Sequence, residues 1–101
     1  MALIHNVKKF NNQCSMSYGI KHNLDTITIE ANSIHKVKIF TEGAEIGDIP
    51  ICSYGHILGD IVMSSEVTSK DTVTVKFINL TDTEQKLIPG EIQVVTIKWN
   101  G

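Results

Sequence analysis

The stretch Asp71-Thr-Val-Thr-Val-Lys-Phe-Ile-Asn-Leu80 decides the fold, because its side chains alternate between two chemistries over most of its length. Val73, Val75 and Phe77 fall on one side of an extended chain, and Thr72, Thr74 and Lys76 on the other. A strand sends successive side chains to opposite faces, and β-branched and aromatic residues suit its pleated surface. The spacing therefore predicts a central strand with Val73, Val75 and Phe77 buried, and with Thr72, Thr74 and Lys76 facing solvent or a subunit partner. Upstream, Asp60-Ile-Val-Met-Ser-Ser-Glu-Val67 is a second extended, apolar-rich run, and the polar break Ser69-Lys-Asp71 lets the chain reverse. Together they predict an antiparallel hairpin at the heart of a β domain.

Working outward, Thr26-Ile-Thr-Ile-Glu30 and His35-Lys-Val-Lys-Ile-Phe40 also alternate, with Val37 and Ile39 sharing a face, and Asn32-Ser33 and Glu42-Gly43 are turn chemistry. Ile46-Gly-Asp-Ile49 and Leu58-Gly-Asp-Ile61 are near repeats that predict two similar strand entries. Pro50 cannot donate to a ladder, so the run Ile49-Pro-Ile-Cys-Ser53 belongs at a sheet edge or begins at that proline. A polar loop, Asp82-Thr-Glu-Gln-Lys86, leads to the turn dipeptide Pro89-Gly90. In the last run, Glu91 to Trp99, the alternation slips at Val94-Val95, which predicts a bulge or burial on both faces, and Trp99 is expected in the core rather than on a contact surface. Residues Met1 to Leu24 sustain no period, and Asn11-Asn-Gln13 and Tyr18-Gly19 read as loop and turn. This segment is either the first strands of the domain or an arm that docks on a neighbour. The whole reads as all-β, with six or seven short strands in a small antiparallel β-sandwich or barrel.

The chain of 101 residues is one domain's length, with residues 1–24 as arm or first strands and residues 25–101 as the β domain. Its 42% hydrophobic and 20% charged residues argue against disorder, and no apolar run is long enough to span a bilayer. The opening Met1-Ala-Leu-Ile-His-Asn-Val-Lys-Lys9 reverses the order of a secretory signal, so a soluble protein made inside the cell is expected. The net charge is −2, and all nine basic residues are lysine. Without arginine, the usual bidentate reader of guanine and phosphate, neither nucleic acid nor a nucleotide is an expected partner. Cys14 and Cys52 form no CxxC pair, and buried free thiols are expected rather than a disulfide.

His5, His22, His35 and His56 lack metal-ligand spacing, and neither cysteine sits beside one of them in a motif. Asp48 and Asp60 would pair as carboxylates or calcium ligands if the two Gly-Asp turns met. Each more simply caps its own turn by accepting from nearby backbone N–H groups. Ser53, Ser64 and Ser65 lack a nucleophile-elbow frame, and no glycine-rich phosphate loop occurs. Asn79-Leu-Thr81 fits the glycosylation sequon but carries little weight without a secretory route. The expectation is a protein that is not an enzyme and has no catalytic, metal or cofactor-binding residues. A chain of this size also has more apolar β-face than one small core covers, which predicts association.

The segment Gly43-Ala-Glu-Ile-Gly-Asp48, the Asp60 to Val67 strand, the run D-T-V-T-V-x-F-x-N-x-T from Asp71 to Thr81 and the closing strand from Gly90 to Val94 together resemble small phage virion proteins. These are the β domains of head fibres, capsid decoration (cement) proteins and fibre tips, and the resemblance covers roughly residues 34 to 99. It implies a jelly-roll-like sandwich, a homotrimer, and a non-enzymatic role on the capsid surface of a virion assembled in the host cytoplasm, with the major capsid protein as partner. A receptor- or glycan-binding fibre tip is the alternative, and a small hydrolase is disfavoured for want of a catalytic constellation. Within this frame Leu3, Ile4, Val7 and Phe10 are the expected capsid-contact residues, with Lys8 and Lys9 adding a salt-sensitive attraction to an acidic surface.

Overall fold

The computed structural model describes residues 14–23 and 25–99, with backbone alone at positions 14 and 99. Those residues form eight strands and no helix: β1 (Cys14–Asn23), β2 (Ile27–Ile29), β3 (Ser33–Phe40), β4 (Ile49–Tyr54), β5 (Ile61–Ser69), β6 (Thr72–Asn79), β7 (Gln85–Leu87) and β8 (Gly90–Trp99). They make three antiparallel sheets, in the orders β1-β8-β4, β2-β7 and β3-β6-β5.

The stretch quoted first is β6, the middle strand of its sheet, and β5 reaches it through the expected hairpin. Val73, Val75 and Phe77 are fully buried. They join Val37 and Ile39 from β3, Ile61 and Val67 from β5, Ile29 and Leu87 from the small sheet, and Ile92 and Val94 from β8 in one core cluster. Tyr54 meets Phe77 edge to face, with centroids 5.5 Å apart and planes at 75°, a favoured aromatic geometry.

Both ends of β6 are clamped by side chains. At the start, Asp71 sits at φ 62° and its Oδ1 accepts from Gly43 N–H at 2.7 Å. Its backbone N–H donates to Ala44 C=O, and its C=O accepts from Thr41 N–H, both at 2.8 Å. The 41–44 turn is thereby fixed to the hairpin. At the far end Asn79 is fully buried, and its Nδ2 donates to the carbonyls of Ile29 and Glu30 at 3.0 Å and of Thr83 at 2.9 Å. Its Oδ1 accepts from Thr81 N–H at 3.0 Å and from Thr81 Oγ1 at 2.7 Å. The Asn-x-Thr of the sequon is a buried turn clamp, closed to a glycan in the folded chain.

Five expectations need correction. Thr74 lies on the outer face as expected but is buried there rather than open to solvent, flanked by Lys38 and Glu66 and with its hydroxyl paired with that of Thr68 at 2.8 Å. Tyr18-Gly19 is not a turn but the middle of β1, which pairs with β8 over its whole length. A Cβ on Gly19 would lie 2.8 Å from the carbonyl oxygen of Phe40 and 2.5 Å from Thr41 Oγ1, so glycine is there for the close approach of β3. The polar stretch 82–86 is not all loop: Gln85–Leu87 is β7, a strand made by pairing with β2 rather than by its own propensity. Gly90 already pairs with Asn23 at the start of β8, and positions 88 and 89 before it form no turn, so Pro89-Gly90 leads into the strand instead of reversing the chain. Finally, β8 carries no bulge, since its register against β1 and β4 runs unbroken. The slip at Val94-Val95 arises because the inward series Ile92, Val94, Thr96 ends in a threonine, while the outward side carries Val95 and Ile97. Thr96 Oγ1 is buried with no hydrogen-bond partner among the described residues.

Pro50 sits in β4, an edge strand, as its missing N–H requires. Asn32 and Asp71, at φ 54° and 62°, and Gly47 and Gly59, at φ 103° and 62°, hold the reversals that the sequence placed there.

Candidate functional site

The two larger sheets present outer faces of opposite character. Register and alternation put Met16, Ile97 and Ile49 in one row across β1, β8 and β4, and Tyr18, Val95 and Ile51 in the next. Ile20 follows, beside Gln93 and Ser53. The exposures are 49% at Met16, 66% at Tyr18, 58% at Ile20, 58% at Ile49 and 55% at Ile51, while Val95 and Ile97 in the middle strand are half-buried by these neighbours. Five such side chains expose roughly 500 Å2, at the upper end of the largest apolar patch that a monomer ordinarily carries. Tyr18 O–H donates to Met16 Sδ at 3.4 Å along the same face.

The outer face of β3-β6-β5 is apolar at its two ends, in the row Ile34, Ile78 and Val62 and at Phe40, 70% exposed, beside Thr72. Between them lie Lys36, Lys76 and Ser64, then Lys38 and Glu66, and Lys76 pairs with Glu66 at 2.9 Å. Charge thus separates the apolar ends of this face, whereas the other face carries none in its central rows.

The apolar face has polar margins. At one end His22 Nδ1 lies 3.3 Å from Glu91. At the other, the turn ending at Asp48 is self-capped, with Glu45 N–H donating to Asp48 Oδ2 at 2.9 Å and Asp48 N–H donating to Glu45 C=O at 3.0 Å. Lys98 Nζ then reaches Glu45 Oε1 at 2.6 Å and Asp48 Oδ2 at 3.6 Å. Its hydrogen bond to Glu45, opposed by burial and helped by the charge of Asp48, raises the Lys98 pKa above the ordinary value.

Of the residues weighed for chemistry, Asp48 takes the turn-capping role and holds a lysine as well. Among the described residues no three of His, Cys, Asp and Glu converge as metal ligands. Cys52 is free and half-buried against the core. A cleft of about 200 Å3 lies among Lys21, Asn23, Ile27, His35, Val37 and Ile92, and two shallow ones of about 360 Å3 each flank the 45–49 turn, beside Lys70 and beside Ile97 and Lys98. The expected capsid-contact residues Leu3, Ile4, Val7, Lys8, Lys9 and Phe10 lie outside the described residues, as do His5, Leu24 and the side chains of Cys14 and Trp99.

The residues that sequence reasoning missed are Met16, Tyr18 and Ile20. Their signal was present, since Met-Ser-Tyr-Gly-Ile alternates by two, but Tyr-Gly read as a turn and concealed it. Ile49 and Ile51 were placed in a strand without a face, because a proline between them obscured which side was inward. No family model, no curated protein and no solved structure matches this chain.

Proposed function

We propose that the chain is a non-enzymatic structural subunit of a phage particle: a jelly-roll-like β-sandwich, trimeric, that sits on the capsid surface as a decoration or cement protein. The observation that carries this reading is the apolar outer face of β1-β8-β4, which is chemistry for binding another protein surface. The strand order supports the jelly-roll form. The antiparallel pairs β1 with β8, β2 with β7 and β3 with β6 are nested one inside the next, as in a folded-over ribbon, although β4 and β5 pair with β8 and β6 rather than with each other. The motif from Asp71 to Thr81, on which the resemblance to virion β domains rests, is the best-anchored part of the fold, clamped at Asp71 and at Asn79.

Attachment in this reading involves Leu3, Ile4, Val7, Lys8, Lys9 and Phe10. Because Cys14–Asn23 is a sheet strand, the informative truncation removes residues 1–13 and leaves β1 whole. Added to phage heads that lack it, the full chain is expected to co-sediment with them and to raise their rupture temperature, while the truncated chain stays folded and remains in the supernatant. A full chain that never co-sediments overturns the proposal. Binding to host cells or glycans in its place would favour a fibre tip.

A further inference from the structure

We propose that the outer face of β1-β8-β4, centred on Met16, Tyr18, Ile49, Ile51, Val95 and Ile97, is buried against a second copy of this chain. The inference rests on reading that face as an association surface, and it assigns the occupant. Area is the first argument. A face of roughly 500 Å2 matched by an equal area of a neighbouring copy removes roughly 1,000 Å2 from water, about the minimum for a biological interface. Composition is the second. The rows Met16–Ile97–Ile49 and Tyr18–Val95–Ile51 contain no charged residue. Contacts between copies of one chain are the more apolar class of interface, whereas a surface for a different, transient partner carries charge to select it.

Shape is the third argument. Three strands in unbroken register make an even surface, on which Tyr18 and Met16 stand beside shorter isoleucines and valines. Like faces gathered about the three-fold axis of the proposed trimer can pack side chain against side chain. The lysine-bearing outer face of β3-β6-β5 is then left outward, where charge keeps the assembly soluble.

The test uses the full chain. Sedimentation at a concentration on the order of 10 μM should give an oligomer. Tyr18→Lys and Ile51→Lys should each weaken self-association by at least about tenfold, the loss typical of an interface anchor. Val62→Lys, on the outer face of the other sheet, should leave association unchanged. Should a lysine variant fail to fold, hydroxyl-radical footprinting of the unaltered chain decides: Met16 and Tyr18 should be oxidised more slowly in concentrated than in dilute protein. A monomer at about 100 μM, equal oxidation at both concentrations, or Val62→Lys disrupting association as strongly as Ile51→Lys overturns the inference. Its failure is separable from that of the capsid role, because a monomer that still coats phage heads defeats this interface and the trimer but leaves the decoration role standing. An oligomer that binds no phage head defeats only the virion role.

Discussion

Removing the Asn79 amide is the most informative single perturbation of the fold. Its two Nδ2 hydrogens serve three carbonyl oxygens, those of Ile29, Glu30 and Thr83, and its Oδ1 accepts twice from Thr81. Two donor hydrogens and two accepted bonds make four full hydrogen bonds, each contributing about 1 kcal/mol net, so Asn79→Ala should cost about 4 kcal/mol. That is a large share of the roughly 5–15 kcal/mol that stabilises an ordinary domain. With a urea slope of about 1.5 kcal/mol per molar, the unfolding midpoint should fall by roughly 2.5 M. Asn79→Asp separates donors from acceptors at constant shape. The carboxylate still accepts from Thr81 but faces three carbonyl oxygens, which raises its folded-state pKa above the ordinary value of about 3.9. The ionisation penalty is therefore absent below about pH 4, where only the loss of one donor hydrogen remains, and grows as pH rises towards the raised value, so this variant should lie closer to the parent chain at pH 4 than at pH 7. A loss below about 1 kcal/mol for Asn79→Ala at unchanged slope would refute the clamp. So would an Asn79→Asp deficit that is the same at both pH values.

Three other outcomes follow from the same structure. Phe77→Ala, at a fully buried site in the middle strand, should cost about 3–5 kcal/mol in urea unfolding, and a loss below about 1 kcal/mol would mean that the strand's faces are misassigned. Gly19→Ala should destabilise by about 1–3 kcal/mol, because the added Cβ meets backbone at 2.8 Å; at an open strand position the same change would be neutral or stabilising. The raised pKa of Lys98 means that its ion pair contributes below the ordinary value of 10.5 and is lost as pH climbs through the folded value. The stability difference between the parent and Lys98→Met should accordingly be steady near neutrality and shrink in strong alkali.

The central hairpin was legible because each local signal agreed with the tertiary outcome: Val73, Val75 and Phe77 alternate, and Lys70-Asp71 sits where the chain reverses. The clamps were half legible. Asp71 and Asn79 stood in the motif, but only the fold brings the 41–44 turn to one and the 81–83 turn to the other. Gly19 misled because a glycine after tyrosine has the same signature in a turn and in a strand crowded by a neighbour, and that neighbour, β3, is distant in sequence. β7 was invisible since Gln-Lys-Leu has no strand propensity of its own. The apolar face was hidden for a related reason. Its rows are assembled from β1, β8 and β4, and each strand alone shows only two or three apolar residues whose inward or outward sense depends on register.

The most direct test of the proposed virion role is to purify phage particles from cells that make this chain and to measure, by quantitative mass spectrometry, how many copies accompany each copy of the major capsid protein. The account predicts a fixed, reproducible ratio, retained through density-gradient purification and found on isolated heads. A chain that stays in the cleared lysate and is absent from purified heads would contradict it.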